Sequence, residues 1–471
     1  MLYWIIGRKL WGDKMEFVIP SYVEKILLRL ENSGFEAYIV GGCIRDMLLG
    51  KRPKDFDVTT DAQPSQLEEV FSDFKTINIG KEFGTIIVCQ DEGNVEITTF
   101  RQEDRYLDGR RPEWVSFSKD IKDDLSRRDF TINAMAYNEK TGVIDPYGGR
   151  KDLKDRIIRT VGKPDKRFNE DYLRILRAVR FATVLKFHID ESTFQAGKKY
   201  SKKILNVSME RIWQEFFKIL LADTPSIGIR LMEKMGLLEA ILPELVPTIG
   251  FNQRNPHHQM DVYNHILCVL DNTPPVIQTR LAALFHDIGK PHTLTIDEKG
   301  IGHFFGHDKV GAEISKKVLE RFKTSNELKN KVYILVKEHM NHHAKFKEKG
   351  LKRLIRRVGE KEIFNLIELQ IADIKCSNQD ANFDHIVQRR KRIKEILEKN
   401  EAYEINQMAI NGKDLLDLGM EEGPIIGEVL EYLLEEVMEK PKLNEKESLK
   451  RLALDYVKRK DVSLCSKKCE L

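Results

Sequence analysis

The 471-residue sequence has few cysteines and no long apolar run. Its six cysteines are scattered along the chain, which argues against a disulfide framework or a zinc knuckle and predicts reduced thiols. No apolar run approaches the ~18 residues of a membrane span, so we predict no membrane partner and a cytoplasmic protein. Met15 is a second candidate start, and a start there would make residues 1–14 a dispensable extension.

The chain also lacks a large excess of charge of either sign. Lys and Arg total 78 and Asp and Glu total 74, which gives a formal net charge of +4. This balance excludes a histone-like polycation, so any nucleic-acid surface must come from local clustering of basic residues. With 41% hydrophobic and 32% charged residues, the composition is that of a globular chain with several domains.

The sequence changes in character near residue 150. Before it, short β-branched runs alternate with turn residues, and after it almost every segment has helical spacing. We predict strands at 36–40, 55–60, 85–90 and 95–100, and helices at 21–32 and 64–72. The predicted fold class is therefore α+β, with a mixed α/β head followed by an elongated all-α body.

Acidic residues in the head indicate metal-assisted phosphate chemistry. The glycines at 41–42 precede a short helix whose N-terminus offers N–H groups to a phosphate, and Arg45 lies one turn further on. Residues i and i+2 of a strand share a face, so Asp55 and Asp57 can both bind Mg²⁺. A tight turn and a solvated edge-strand pair are the ordinary alternatives, but the combination favours phosphoryl or nucleotidyl transfer. Glu96 is either a third carboxylate or the cross-strand partner of a Lys or Arg.

Five motifs occur in an order that resembles a known family. They are GG-x-x-RD-x-LLG, D-x-D, RRDFTINAMA (127–136), DPYGGRKDL (145–153) and EDYLRILRAVRF (170–181). Over roughly residues 36–235, this ordered set resembles the bacterial-type tRNA nucleotidyltransferase and poly(A) polymerase family. The resemblance implies a polymerase-β-like nucleotidyltransferase head with a mixed sheet, and Mg²⁺ as its cofactor.

The segment at 170–181 predicts an amphipathic helix that reads the incoming base. Its expected core face consists of Tyr172, Ile175, Leu176 and Val179. A carboxylate and a guanidinium together match the donor and acceptor edge that cytosine and adenine share, and they mismatch uracil and guanine. An ordinary helix with Asp-to-Arg surface pairs is the alternative.

The family resemblance implies roles for several residues of this region. It makes Asp171 and Arg174 the amino-acid template for the base, with Glu170 and Arg127 structural. The complete predicted nucleotide-binding set is Gly42, Arg45, Arg128, Asp171, Arg174, Arg177 and Arg180. The Arg-, Gly- and Asp-rich stretch at 101–117 predicts a surface loop. In the family an equivalent flexible loop helps the site switch from C to A addition, which favours complete CCA activity.

A second set of residues indicates a metal site in the helical body. His265, His286, Asp287 and Asp373 form an ordered H…HD…D pattern on apolar helical stretches. A lone His there is usually a core residue, but a buried charged Asp beside a His needs a partner or a metal. The pattern resembles the HD phosphohydrolase superfamily, which implies a site for Mn, Ni, Co or Zn; phosphoester hydrolysis and a purely structural domain are equal alternatives. Further contacts, with none preferred, are His303, His307, His339, His342 and His343.

The predicted domains follow from these motifs. They are a nucleotidyltransferase head at 1–150, a base-recognition and RNA-binding neck at 151–249, an HD domain at 250–376 and a tRNA-binding helical tail at 377–471. In the tail, residues 408–437 resemble the tail of the same tRNA enzymes. The basic cluster at 389–394 either holds acceptor-stem phosphates or is a solvated helix face.

The predicted function is CCA addition to the acceptor end of tRNA, from CTP and ATP and without a nucleic-acid template. The closest alternative keeps the chemistry of the head but changes the product, as in a poly(A) polymerase or the A-adding enzyme of a split pair. An alternative of another class is an HD metal phosphohydrolase whose head binds RNA.

Overall fold

The computed structural model describes residues 17–78, 84–106, 112–254, 260–344, 346–377 and 382–468. The chain divides into two compact units, Met1–Pro243 and Glu244–Leu471. Within the described ranges, no helix has both the length and the apolar character needed to cross a membrane. The further division into four domains stays a prediction, and residues 255–259, near the predicted start of the HD domain, lie outside the described residues.

The first unit is built on a seven-stranded sheet. The described strands of this unit, seven of which form the main sheet, are β1 (Ala37–Val40), β2 (Asp57–Thr60), β3 (Lys75–Asn78), β4 (Thr85–Gln90), β5 (Gly93–Thr99), β6 (Arg101–Tyr106), β7 (Pro112–Phe117), β8 (Ala136–Asn138), β9 (Gly142–Ile144), β10 (Ile157–Ile158) and β11 (His188–Ile189). The main sheet has the order β3-β4-β5-β2-β1-β8-β9, in which β2 and β5 are parallel and the other neighbours antiparallel. The predicted mixed sheet is therefore confirmed.

Helices cover this sheet and continue beyond it. They are α1 (Ser21–Asn32), α2 (Gly42–Leu48), α3 (Pro64–Val70), α4 (Ile121–Ser126), α5 (Gly149–Asp155), α6 (Pro164–Glu170), α7 (Leu173–Leu185), α8 (Glu191–Tyr200), α9 (Met209–Leu220), α10 (Ser226–Lys234) and α11 (Leu237–Ile241). Every residue of β1 is buried, as expected for a central strand covered on both faces. Ile39 of β1 shares one core with Ile26 of α1 and Phe181 of α7.

The predicted helix at 170–181 is interrupted. Helix α6 ends at Glu170, Asp171 is extended (φ −152°, ψ 108°), and α7 begins at Leu173. The Asp171 carboxylate accepts the backbone N–H of Leu173 at 3.0 Å, and this bond satisfies a donor that the first turn of α7 would otherwise leave unpaired. Three of the four predicted core residues, at 175, 176 and 179, are buried, whereas Tyr172 is partly exposed before the helix.

Two other predictions in the head were wrong in detail. The strand predicted at 55–60 begins only at Asp57. The surface loop predicted at 101–117 is instead the antiparallel hairpin β6–β7, paired from Arg101↔Phe117 onward; its turn at 107–111 lies outside the described residues. Backbone hydrogen bonds form such a hairpin without the alternating apolar pattern by which we recognised the other strands.

The second unit is almost entirely helical. Its helices are α12 (Val262–Asn272), α13 (Ile277–Phe285), α14 (His307–Arg321), α15 (Asn326–Glu338), α16 (Glu348–Val358), α17 (Glu362–Ser377), α18 (Asp384–Glu398), α19 (Gly412–Asp417), α20 (Pro424–Glu439) and α21 (Lys446–Lys468), with one small hairpin of β12 (Thr295–Ile296) and β13 (Gly302–His303). The predicted α-helical body is confirmed. Helix α12 begins where Asp261 accepts the N–H of Asn264 at 2.7 Å, a standard N-terminal cap.

The prediction of reduced thiols was wrong for one pair of cysteines. Cys268 of α12 and Cys376 of α17 form a disulfide, with their Cα atoms 5.9 Å apart. They are separated by 108 residues in sequence, but α12 and α17 pack side by side. Cys43 and Cys89 are free, and Cys465 and Cys469 lie outside the described side chains.

The basic cluster at 389–394 interacts largely within the protein. Arg389 is buried and donates to the carbonyl oxygens of Asn341 (3.1 Å) and Ala344 (2.8 Å). Acidic partners also face Arg390, Arg392 and Lys394. These contacts favour the helix-face alternative over phosphate binding.

Candidate nucleotidyl-transfer and metal sites

The turn between β1 and α2 brings the backbone close to two functional side chains. Gly41 has φ +85°, and a Cβ atom at this position would lie 2.9 Å from Nη1 of Arg128 and 3.9 Å from Oδ2 of Asp57. Only glycine adopts this conformation at low cost while also leaving room for the guanidinium. The glycine turn, the acidic strand and Arg128 therefore meet at one place.

The two aspartates of D-x-D lie on one side of the chain. Asp55 and Asp57 are exposed, whereas Phe56 between them is buried. In the sheet, Asp57 is paired in register with Val40 of β1 and with Glu96 of β5. Neighbouring residues of adjacent strands that pair in register project to the same face, so Glu96 joins the acidic group.

The electrostatics of this acidic group favour a bound cation. Asp57 has solvent access as a residue, but its carboxyl borders a cavity in the protein, and this partial desolvation raises its pKa; Arg128 opposes the shift, and the charge of Asp55 adds to it. The pKa of Glu96 is also raised, first by desolvation and then by Asp57, against the effect of Arg101 and Arg128. A cavity of about 200 Å³ is lined by Val40, Asp57, Val58, Thr85, Glu96, Thr98, Arg101, Arg127 and Arg128. A divalent ion would relieve this repulsion between carboxylates.

The predicted phosphate-contacting arginines are held by neighbouring polar groups. Arg128 donates to Oδ2 of the buried Asp124 at 3.2 Å. Burial opposes ionisation of Asp124, but Arg127 and Arg128 hold the pKa of its carboxyl below the ordinary value. Arg45 donates to Oδ1 of Asn133 at 2.8 Å and pairs with its neighbour in sequence, so its guanidinium is also held in place.

The two predicted base-reading side chains are close in sequence but have different partners. Oδ2 of Asp171 accepts a hydrogen bond from Nη2 of Arg211 at 2.7 Å. Arg174 donates from Nη1 to Oε2 of Glu170 at 2.6 Å and from Nη2 to the carbonyl oxygen of Arg127 at 3.1 Å. These bonds agree with the structural roles predicted for Glu170 and Arg127. The sequence contained no signal for Arg211, because it belongs to another helix.

Arg177 and Arg180 extend the same polar network. Arg177 donates from Nε to Oδ2 of Asp129 at 2.9 Å, and both arginines contact Glu215. Burial opposes ionisation of Asp129, yet Arg177 and Asn133 hold the pKa of its carboxyl well below the ordinary value. Nucleotide contacts by these two arginines stay a prediction. Sequence reasoning did not identify Glu215, which lies on α9.

The four predicted ligands of the HD site come together in the second unit. Nε2 of His265 lies 3.1 Å from Oδ1 of Asp373, 3.2 Å from Nε2 of His286 and 3.5 Å from Oδ2 of Asp287. All four residues are buried. Burial opposes ionisation of both carboxyls, but the neighbouring histidines hold the pKa of each below its usual range. Lys290 also contacts Oδ2 of Asp287, at 2.7 Å.

Three of the five additional histidines contact this cluster. His307 and His339 are buried, and their Nε2 atoms are 3.3 Å apart. Burial, with smaller contributions from His286 and His307, lowers the pKa of His339 to about 3. His342 reaches within 3.9 Å of Asp373, whereas His303 is partly exposed and pairs with Asp297. The side chain of His343 lies outside the described residues.

Comparisons with known proteins agree with this arrangement. Three family models match: the poly A polymerase head domain at 37–159, the RNA and SrmB-binding site of polymerase A at 186–248, and tRNA nucleotidyltransferase domain 2 at 301–453. A CCA-adding enzyme of Ligilactobacillus salivarius is 33% identical over 437 residues, which is 92% of this chain and 96% of the relative. One of Streptococcus pyogenes is 32% identical over 419 residues, 88% and 92% of the two chains.

A solved structure extends the comparison to three dimensions. The CCA-adding enzyme of Bacillus stearothermophilus, in complex with CTP, superposes with a TM-score of 0.72 at 25% identity, covering 95% of this chain and 100% of that chain. The head and its acidic site define a nucleotidyltransferase, an enzyme class that uses a divalent metal. Within that class, the chain belongs to the family of CCA-adding enzymes, as the motifs indicated.

Proposed function

We propose that this chain adds C, C and A in turn to the 3′ end of tRNA, taking them from CTP and ATP without a nucleic-acid template. The observation that carries the proposal is the meeting of Asp57, Arg128 and the Gly41 turn in a chain of this family. The CTP complex of the Bacillus stearothermophilus relative supports CTP as a substrate. The tail and the neck are the proposed tRNA-binding regions.

The acidic group fits Mg²⁺. Asp55 and Asp57 present carboxylate oxygens, the hard ligands that Mg²⁺ prefers, and Glu96 adds a third carboxylate beside Asp57. Bound Mg²⁺ would neutralise charge on the triphosphate and lower the pKa of the attacking 3′-hydroxyl. Arg128 and Arg45 would hold phosphate oxygens, and the in-line displacement of pyrophosphate needs them in fixed positions.

The base would be selected by Asp171 and Arg174. The Asp171 carboxylate would accept a hydrogen bond from the exocyclic amino group of the base, and the Arg174 guanidinium would donate one to the neighbouring ring nitrogen. Cytosine and adenine both present this pair of groups. Arg211 and Glu170 hold these two side chains in fixed orientations. Uracil or guanine would leave polar groups unpaired, with a penalty of about 1–3 kcal/mol per group.

The deciding experiment gives the purified chain three tRNAs, which end before CCA, after the first C and after the second C. With CTP alone, we expect C on the first two tRNAs; with ATP alone, we expect A on the third. Incorporation of A alone on every acceptor would contradict CCA addition and favour an A-adding enzyme or a poly(A) polymerase. A double variant, Asp55→Ala with Asp57→Ala, should incorporate neither nucleotide.

A second candidate function is metal-dependent phosphoester hydrolysis in the second unit. Convergence of His265, His286, Asp287 and Asp373 favours it, and mixed imidazole and carboxylate ligands suit Mn, Ni, Co or Zn. Hydrolysis of bis(p-nitrophenyl) phosphate with each metal tests this function. The Asp55→Ala, Asp57→Ala variant should retain the hydrolysis; loss of hydrolysis in this variant would assign the activity to the head.

The cytoplasmic location stays a prediction of the sequence.

A further inference from the structure

Another cavity of the first unit lies apart from the acidic group. Its volume is about 810 Å³, and no residue lines both this cavity and the one beside Asp57. Small-molecule sites in proteins commonly have roughly 300–1,000 Å³ and apolar walls with a few polar groups. Phe17, Tyr22 and Phe56 are among the lining residues here. The cavity therefore has the size and the apolar walls to take an aromatic ring.

Three basic residues line the same cavity. Lys51, Arg52 and Lys54 belong to the loop between α2 and β2, and all three are exposed. Within the part of the chain that the structure describes, none of their side chains is paired with an acidic residue. Neighbouring cations without counter-charges attract a polyanion, and phosphate oxygens are favoured partners of Lys and Arg. The loop therefore favours a ligand that carries several phosphate charges.

The cavity also has a carboxylate in its lining, that of Glu92. Its Oε2 accepts the hydroxyl hydrogen of Ser21 at 3.1 Å, and the remaining lone pairs of the carboxylate are acceptors for a ligand. Guanine presents two neighbouring N–H donors, the ring N1–H and the exocyclic amino group. Adenine and cytosine present a donor beside an acceptor, and uracil presents one donor between two acceptors. Guanine is therefore the RNA base that can donate two hydrogen bonds to one carboxylate.

Contacts within the head hold the walls of this cavity in place. The backbone N–H of Lys51 donates to the carbonyl oxygen of Asp46 at 2.8 Å, which ties the basic loop to the end of α2. Phe56, at the other end of the loop, is buried in the core. On the wall formed by α1, Nε2 of Gln90 donates to the carbonyl oxygen of Tyr22 at 3.0 Å. A ligand that enters walls held in this way orders few further side chains.

We propose that this cavity binds a guanosine di- or triphosphate. The phosphates contact Lys51, Arg52 and Lys54, and the base lies against the aromatic wall with its two donors on Glu92. This site is separate from the proposed nucleotidyl-transfer site and has the opposite base preference, because the pair proposed to select cytosine and adenine mismatches guanine. The inference goes beyond CCA addition and does not depend on it.

The test measures GTP binding to the full chain by equilibrium dialysis with Mg²⁺. We expect one GTP per chain, and Glu92→Gln should weaken its binding about tenfold or more, because an amide offers one acceptor where guanine needs two. The same substitution should leave the affinity for inorganic triphosphate unchanged. Asp91→Asn is the matched control, since Asp91 is an exposed neighbour that does not line the cavity.

A second set of variants tests the basic loop. The triple variant Lys51→Ala, Arg52→Ala, Lys54→Ala should lose binding of both GTP and inorganic triphosphate. Lys75→Ala, which removes an exposed lysine of β3 outside the cavity lining, should lose neither. Circular dichroism checks folding, and the substituted side chains are exposed, so their loss should not unfold the head.

Each other outcome contradicts the proposal in a distinct way. Equal affinity for GTP and ATP, or an unchanged affinity in Glu92→Gln, would overturn the recognition of guanine. Undiminished GTP binding by the triple variant would place the nucleotide elsewhere. Arg45→Ala with Arg128→Ala should weaken binding of CTP but not of GTP, and a parallel loss would assign GTP to the nucleotidyl-transfer site. Displacement of GTP by a single-stranded RNA that lacks guanosine would assign the basic loop to RNA instead.

Discussion

At the residue scale, Gly41 combines a backbone requirement with a contact in the proposed active site. Its positive φ suits glycine, and its missing side chain leaves the space that Nη1 of Arg128 approaches. Sequence reasoning recognised the glycine pair as a phosphate-binding turn. It could not show that an arginine 87 positions later would come close to the turn, because that contact depends on the packing of α4.

We expect Gly41→Ala to lower both stability and activity. The strained φ should reduce the free energy of unfolding by about 1–2 kcal/mol, and displacement of Arg128 should reduce nucleotide incorporation about tenfold or more. Gly142→Ala is the matched control, since Gly142 also has a positive φ (+70°) but a Cβ there would meet nothing within 4 Å. Equal incorporation by the two variants, measured beside urea denaturation, would contradict the importance of the Arg128 contact.

The pH dependence of metal binding is a second prediction at this scale. Mg²⁺ needs ionised Asp57, whose pKa is raised by desolvation and by Asp55 and lowered by Arg128. As pH falls through that raised pKa, protons compete with Mg²⁺, so affinity should fall at a higher pH than for an ordinary carboxyl. Arg128→Ala removes the lowering effect and should move the loss of affinity to still higher pH.

Isothermal titration calorimetry across a pH series measures this shift in affinity. Arg45→Ala provides the control, because Arg45 pairs with Asp46 and Asn133 rather than with the acidic strand. A shift to lower pH in Arg128→Ala would show that another group governs the titration.

At the scale of elements, the break between α6 and α7 shows that hydrophobic periodicity did not predict the helix boundary at residues 171–172. Ile175 and Leu176 follow the helical spacing and are buried as predicted. Asp171 precedes the helix and is extended, with its carboxylate bonded to Leu173 and Arg211. Hydrophobic spacing reports which side of a segment is buried, but it does not show where the backbone leaves the helix.

Two neighbouring arginines of helix α18 differ in burial, so their replacement should change the free energy of unfolding by different amounts. Arg389→Ala should cost about 2 kcal/mol in the free energy of unfolding, since it removes a buried side chain and leaves the part-buried carbonyl oxygens of Asn341 and Ala344 without their donor. Arg390→Ala removes an exposed pair with Glu368 and should cost less than about 1 kcal/mol. Urea denaturation compares the two variants. Similar costs would show that Arg389 contributes no more than a surface charge.

At the scale of the whole molecule, the two units carry chemistry that can be tested separately. In the Asp55→Ala, Asp57→Ala chain, Mn²⁺ at 100 times its Kd should stabilise the second unit by about 2.7 kcal/mol through the one proposed site of His265, His286, Asp287 and Asp373. Hydrogen exchange should therefore slow by up to about 100-fold in α12, α13 and α17, and stay unchanged in α7.

A variant that lacks part of the metal site provides the control for this experiment. His286→Ala removes a buried ligand of the proposed site, so Mn²⁺ should protect α12 and α17 much less. Equal protection with and without His286 would mean that Mn²⁺ binds elsewhere on the second unit.

The sequence by itself determined the local chemistry of this protein. Two acids separated by one residue, a glycine pair before a helix and an HD pair in an apolar stretch are each close together in the chain, so the covalent backbone alone keeps their groups near one another. Only the tertiary structure decided which residues, distant in sequence, contact these local groups and other parts of the fold. Arg211 meets Asp171, Cys376 meets Cys268, and Asp287 stands between two pairs of histidines. Periodicity predicts which face of a helix is buried, but only packing selects the neighbour that this face meets.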